Sequence, residues 1–117
     1  MNKRKVLVFG GRNFTNYDFL CRILDDLYDG KQIIVIEGEA DGADKYAKRW
    51  AESRGHEVDT CKPDWSKGRS AGFVRNSEMV AKSEEAVGFW DCISTGTLDT
   101  IKKLIKSGKQ TRIYFYR

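Results

Sequence analysis

Three unbroken apolar runs, Val6–Phe9, Ile33–Ile36 and Ala86–Trp90, narrow the choice of fold more than any other feature of the chain. A strand open to water on one face alternates apolar and polar residues. A strand apolar at every position is covered on both faces, as in a parallel sheet sandwiched between helices. The spacing predicts strands over Lys5–Phe9, Gln32–Glu37, Glu57–Cys61, Glu85–Trp90 and Thr111–Tyr116. Between them the apolar residues recur at helical spacing. Phe19, Leu20, Ile23, Leu24 and Leu27 form the core face of a first helix capped by Thr15 or Asn16. Ala43, Tyr46, Ala47, Trp50 and Ala51 do so for a second, which Gly55 ends. A third runs from about Ser70 to Ser83, with Phe73, Asn76 and Val80 on one stripe and Met79 beside it. The last carries Leu98, Ile101, Leu104 and Ile105 and is closed by Gly108. The third strand is polar apart from Val58. In the fifth, Ile113 and Phe115 alternate with Arg112, Tyr114 and Tyr116. Both patterns suit sheet edges. The expected fold class is α/β: a three-layer, Rossmann-like β-α-β-α-β-α-β-α-β arrangement with a five-stranded open parallel sheet.

At 117 residues the chain is read as one domain. No apolar run approaches the ~20 residues that span a bilayer. The start, MNKRKVLVFGGR, has the basic head of a signal peptide, but its apolar run is too short for one and is read as the first strand. Cys21, Cys61 and Cys92 are an odd number without C-x-x-C spacing, which argues against a disulfide framework or zinc site and for a reduced, cytoplasmic protein. No metal motif and no cofactor are expected. The net charge of +4 favours an anionic ligand without by itself pointing to nucleic acid.

The chemistry gathers where strands turn into helices. The stretch Gly68–Thr100 reads as helix, buried strand, then a loop, Ser94-Thr95-Gly96-Thr97, that opens a second helix. A helix N-terminus offers unpaired N–H groups and partial positive charge, which suit a phosphate or carboxylate. Asp91 ends the strand before this loop, and Arg69 and Arg75 lie upstream to neutralise phosphate. After the first strand, Gly10 and Gly11 allow a tight turn and close approach of backbone to ligand, with Arg12 at the mouth. The bland alternative is a turn with an exposed arginine. The loop does not fit G-x-G-x-x-G, so no standard dinucleotide site is expected. A second glycine-bearing turn holds Gly38, Asp41, Gly42 and Asp44; Asp44 either caps the helix or hydrogen-bonds a ribose hydroxyl. Asn76, polar on an apolar stripe, needs a partner when buried, either a ligand or a loop. Trp65 is a lid over a base or a plug for the core edge. His56, the sole histidine, has neither a nucleophile nor cysteine ligands beside it. The first and fourth strands adjoin at the switch point of a doubly wound sheet, where ligands bind.

On these residues the chain resembles the YspA-like family of the SLOG superfamily, which groups Rossmann-like domains related to DprA and to the LOG nucleotide phosphoribohydrolases. The resemblance covers nearly the whole chain. It rests on Gly11-Arg12, on Gly38 to Asp44 as G-x-A-x-G-A-D, on Trp65, Ala71-Gly72, Arg75-Asn76 and Met79, and on Asp91 to Thr97. It implies strand order 3-2-1-4-5 and a nucleotide-type ligand at these loops. Arg75 is similar to the LOG arginine, and Gly96-Thr97 to the Gly-Thr of the LOG phosphate loop. LOG enzymes continue G-T-x-x-E, where this chain has Thr100; Asp99 is one position off and shorter. A threonine cannot stabilise an oxocarbenium-like cation as a carboxylate does.

Three functions follow as expectations. The first is binding of a nucleotide or nucleotide-derived small molecule, such as a nucleoside monophosphate or ADP-ribose, as a sensor or sequestering module. The second is N-glycosidic hydrolysis with Arg75 holding phosphate and Asp99, Asp44 or Asp91 as the carboxylate. The third is single-stranded nucleic-acid binding by Lys3-Arg4-Lys5 or by Lys102, Lys103, Lys106 and Lys109. A homo-oligomer is expected by analogy with the superfamily, and no membrane partner is expected.

Overall fold

The computed structural model describes residues 3–117, so the first two residues of the basic head lie outside it. The elements are β1 (Arg4–Gly10), α1 (Tyr17–Leu27), β2 (Ile33–Glu37), α2 (Ala43–Ser53), β3 (Glu57–Thr60), α3 (Ala71–Lys82), β4 (Glu85–Trp90), α4 (Thr95–Lys106) and β5 (Gln110–Phe115). One 3-10 turn, Trp65–Lys67, precedes α3. The five strands form one parallel sheet of order β3-β2-β1-β4-β5. The central strands are the three apolar runs, in register as Val6 with Val35 and Val8 with Val87.

Each face of the sheet carries a core. Val6, Val8, Val35, Val87 and Phe89 pack with Leu20, Leu24, Ala47 and Trp50 of α1 and α2. Leu7, Phe9, Ile36 and Ala86 pack with Met79, Val80, Ile101 and Leu104 of α3 and α4. Burial on both faces is why the central strands are apolar at every position. Asn16 rather than Thr15 caps α1, its side chain accepting the Phe19 N–H at 3.0 Å. Gly55, at φ +76°, follows the last turn of α2 as expected. His56 stacks on the buried Trp50, and its Nδ1 accepts from the Ile33 N–H, so it serves the core.

Three expectations need correcting. Ile105 is 70% exposed and Leu98 half-buried; the buried stripe of α4 is Thr97, Thr100, Ile101 and Leu104. Two threonines can line it because each hydroxyl has a local partner: Thr97 with Ser94, and Thr100 with the Gly96 carbonyl. In β5, Phe115 is 64% exposed, while Tyr114 and Tyr116 pack against the α1/α2 core through Phe89 and Phe14. A two-faced sheet buries residues of both parities, and a tyrosine can bury its ring while its hydroxyl reaches a polar partner. Phe73 is exposed on α3, although Asn76, Met79 and Val80 are buried. Cys21, Cys61 and Cys92 are all free thiols. No helix is long and apolar enough to cross a membrane among the described residues.

Candidate functional site

The crossover from β3 to β4 leaves a crevice at the carboxyl ends of β2, β1 and β4. A cavity of about 480 Å³ opens there. The loop after β4 builds one wall. Asp91 Oδ1 accepts the N–H groups of Ile93 (2.9 Å) and Ser94 (2.8 Å), and these bonds hold its carboxyl below the usual carboxylate range. Ser94 then caps α4, its Oγ accepting from the Thr97 N–H. The next two N–H groups, of Thr95 and Gly96, have no protein acceptor among the described residues, and both residues line the cavity. Asn13, unnoticed in the sequence, ties the loops together: it donates to Asp91 at 3.3 Å and accepts from the Tyr116 hydroxyl at 2.6 Å. Those partners are too distant in sequence to signal it.

The loop after β1 is less open to a ligand than its glycines suggest. The Gly11 N–H donates to the Phe89 carbonyl, and the Gly11 carbonyl accepts from Phe14 and Ala43. Gly11 is buried and does not line the cavity, whereas Gly10 and the exposed Arg12 do. Gly42 caps α2 at φ +77° against the Gly11 carbonyl, so it joins two loops and stands away from the cavity.

Arg75 is the buried cation of the site, 8% exposed. Its Nη1 donates to the Gly38 carbonyl at 2.5 Å and its Nε to Asn76 Oδ1 at 3.0 Å. A Cβ on Gly38 would strike this guanidinium and the Asp44 carboxylate, so glycine makes room for both. Asn76 passes the connection on, donating to the Gly96 carbonyl (3.3 Å) and Asp99 Oδ2 (3.1 Å). It is therefore a loop anchor that also lines the cavity. Asp99 is gripped by Lys103 at 2.7 Å and does not line the cavity. Thr100 lines it, but its hydroxyl donates to the Gly96 carbonyl.

Asp44 neither caps α2 nor lies in the open. It is 4% exposed, and its Oδ2 accepts from the Gly38 N–H (3.2 Å) and the Ala40 N–H (3.4 Å). Burial, reinforced by the charge of Glu37, pushes its carboxyl up to about 7 against the pull of Arg75. Beside the first cavity lies a second, of about 520 Å³, which shares Arg12, Ala40, Trp65 and Arg75 with it. Gly38 and Asp41 line this second cavity. Asp41 pairs with Lys45 at 3.0 Å, and that hydrogen bond lowers its carboxyl. Trp65 is 57% exposed, so it does not plug the core; it borders both cavities and lies near Gly72. Arg69 and Phe73 also border the first cavity. Gly10, Arg12, Asp44, Arg69, Arg75, Asn76, Asp91, Ser94, Thr95, Gly96 and Thr97 thus converge on one crevice.

Residues 4–68, more than half of the chain, match the YAcAr family, described as the YspA, cpYpsA-related SLOG family. The matched span holds the loops after β1 and β2 and reaches the 3-10 turn, while Arg75 and the α4 N-terminus lie beyond it. The gene 61 protein of Mycobacterium phage D29 is 33% identical, over 90% of this chain and 91% of that protein. The fold is similar to that of DNA processing protein A (DprA) from Streptococcus pneumoniae, with a TM-score of 0.80 at 15% identity. That likeness covers 95% of this chain and 50% of the DprA chain, so this protein spans about half its length. With the family match over both glycine-bearing loops and a relative similar over nearly the full length, the chain belongs to the YspA, cpYpsA-related SLOG family.

Proposed function

We propose that the protein binds a nucleotide or nucleotide-derived small molecule, of the nucleoside monophosphate or ADP-ribose kind, as a sensor or sequestering module. The observation that carries this reading is the convergence of the free Thr95 and Gly96 N–H groups with Arg12, Arg69 and Arg75 on one cavity. Backbone N–H groups at a helix start and planar guanidinium groups are the donors that phosphate esters select. The exposed indole of Trp65 supplies a flat apolar face at the rim for a base.

Binding is favoured over hydrolysis with Asp99 as the carboxylate by the placement of that residue. Its carboxylate is held by Lys103 and Asn76 outside the cavity, and the Thr100 hydroxyl is engaged. Nucleic-acid binding is less favoured, because several of the expected basic contacts have intramolecular partners. Lys3 pairs with Glu57, Arg4 with Glu84 and Glu85, Lys103 with Asp99, and Lys109 donates to the Val80 carbonyl.

Calorimetry with AMP, ADP-ribose, NAD and cyclic dinucleotides tests the reading. The expected outcome is binding tighter than about 1 mM, roughly −4 kcal/mol, to at least one of them. Arg12→Ala and Arg69→Ala, both on exposed side chains, should each weaken it about tenfold. No heat from any of these ligands would sink the proposal. Free base or ribose phosphate found by mass spectrometry after incubation would replace it with hydrolysis.

A further inference from the structure

Behind Arg75, where β2 meets the start of α2, lie two carboxyl groups that the phosphate-binding reading leaves without a role. Glu37, the last residue of β2, is fully buried at 0% exposure. Its Oε1 accepts the Glu39 N–H at 2.9 Å, while its Oε2 is buried with no hydrogen-bond partner among the described residues. Asp44, in the first turn of α2, accepts two long backbone hydrogen bonds at Oδ2. Its Oδ1 has no protein partner among the described residues, and Asp44 lines the cavity. Arg75, the buried cation nearby, points its Nη1 and Nε at the Gly38 carbonyl and Asn76, and forms no ion pair with either carboxyl.

The other groups facing this corner do not neutralise it. Lys45 and Lys48 act on it from α2, but Lys45 is exposed and paired with Asp41. Glu39, from the loop, adds negative charge, and the nearby Thr60 hydroxyl on β3 makes no hydrogen bond to Glu37 among the described residues. Two buried carboxylates beside one buried guanidinium, with Lys48 only half-buried, bind a proton more tightly than either would alone. That proton is drawn off as pH rises through neutrality, which leaves Asp44 as a carboxylate above it.

We infer that ligand binding in the cavity is coupled to uptake of one proton by Asp44, with Glu37 as the positioning residue that keeps the proton there; this rests on the phosphate-binding reading above. A phosphate placed on Arg75 adds negative charge beside Asp44 and engages the cation that had opposed its protonation. The Asp44 carboxylate takes a proton from solvent and becomes a neutral carboxyl, whose O–H can then donate to a phosphoryl or hydroxyl oxygen of the ligand. Burial already brings Asp44 to about 7, so a modest added field suffices to shift it across neutral pH. Glu37 is also raised by burial, and its charge raises Asp44 in turn.

ADP-ribose is the probe of choice, because its pyrophosphate does not titrate in this range, whereas a phosphate monoester titrates near 6. Calorimetry at pH 8 in buffers of different ionisation enthalpy should show roughly half a proton or more taken up per ligand. Affinity should weaken roughly three- to tenfold between pH 6.5 and 8.5. In Asp44→Asn both effects should vanish. In the free protein, the Gly38 and Ala40 amide NMR signals should titrate near neutral pH, and Glu37→Gln should move that midpoint down by roughly half a pH unit or more. Should Asp44→Asn fail to fold, this Glu37→Gln shift carries the test, since a merely structural Glu37 would leave the midpoint unmoved. Binding without proton uptake, uptake retained in Asp44→Asn, or flat Gly38 and Ala40 signals from pH 5 to 9 would overturn the inference and leave the binding reading intact. No binding of ADP-ribose beside a normal amide titration would overturn the coupling and count against the binding reading instead.

Discussion

Glu37, Asp44 and Arg75 come from three elements that meet only in the folded chain, and their energetics can be read without any ligand. Asp44 keeps its proton up to about 7 in the folded protein, whereas an unfolded chain gives it up near 4. The native state therefore binds the proton more tightly, and the contribution of Asp44 to stability declines as pH rises from about 4 to about 7, then levels off. Asp44→Asn removes this dependence while leaving a side-chain oxygen for the Gly38 and Ala40 N–H groups. Urea unfolding should find the variant more stable than the parent at pH 8, by roughly 2–4 kcal/mol, and close to it at pH 4. A variant that is less stable at pH 8 would mean that Asp44 is held as a compensated carboxylate.

At the level of elements, the entry to α4 is the part of the site most open to a local test. Ser94 caps the helix and contacts Thr97, and its carbonyl accepts from the Trp90 indole at 3.1 Å. Ser94→Ala should cost about 1 kcal/mol in thermal or urea unfolding and weaken ligand binding as the Thr95–Gly96 turn loosens. Unchanged stability would show that Thr97 alone holds the turn. Much of this was legible in the sequence. The apolar runs located β1, β2 and β4, and the hydroxyl-rich loop located the start of α4. What escaped was phase and partnership. Ile105 read as core, and Phe115 as sharing the apolar face of Ile113, because periodicity tells which residues share a face, not how far the neighbouring layer extends over them. Thr97 read as a loop donor and Thr100 only as a missing carboxylate; neither read as part of the buried stripe, because their partners, Ser94 and the Gly96 carbonyl, satisfy them only once the helix has formed. Gly11 read as a ligand contact, yet its backbone is engaged by β4, the first helix-bound loop and α2. Glu37 closes an otherwise apolar strand, and nothing in its neighbours signals that it ends fully buried.

Across the whole molecule, long-range contacts tie distant segments at both ends of the sheet. Tyr28 donates to Glu85, which also pairs with Arg4, and binds α1, β4 and β1 together away from the crevice. At the crevice, Tyr116, Asn13 and Asp91 form the matching link. Between these ends the helices cover both faces, and the loops that line the cavities rest on a fixed frame. The placement of the three tryptophans in that frame has an optical consequence. Trp50 is sealed against His56 in the core, and Trp90 is half-buried with its indole nitrogen engaged, so both should emit steadily. Trp65 is exposed and borders both cavities. A purine settling on its ring should quench the long-wavelength part of the emission. Trp65→Phe should abolish that change while the emission of the other two persists. An unaltered spectrum at saturating ligand would place the base away from Trp65. The chain thus carries a built-in fluorophore at the mouth of its crevice, and occupancy can be followed by titration without a label.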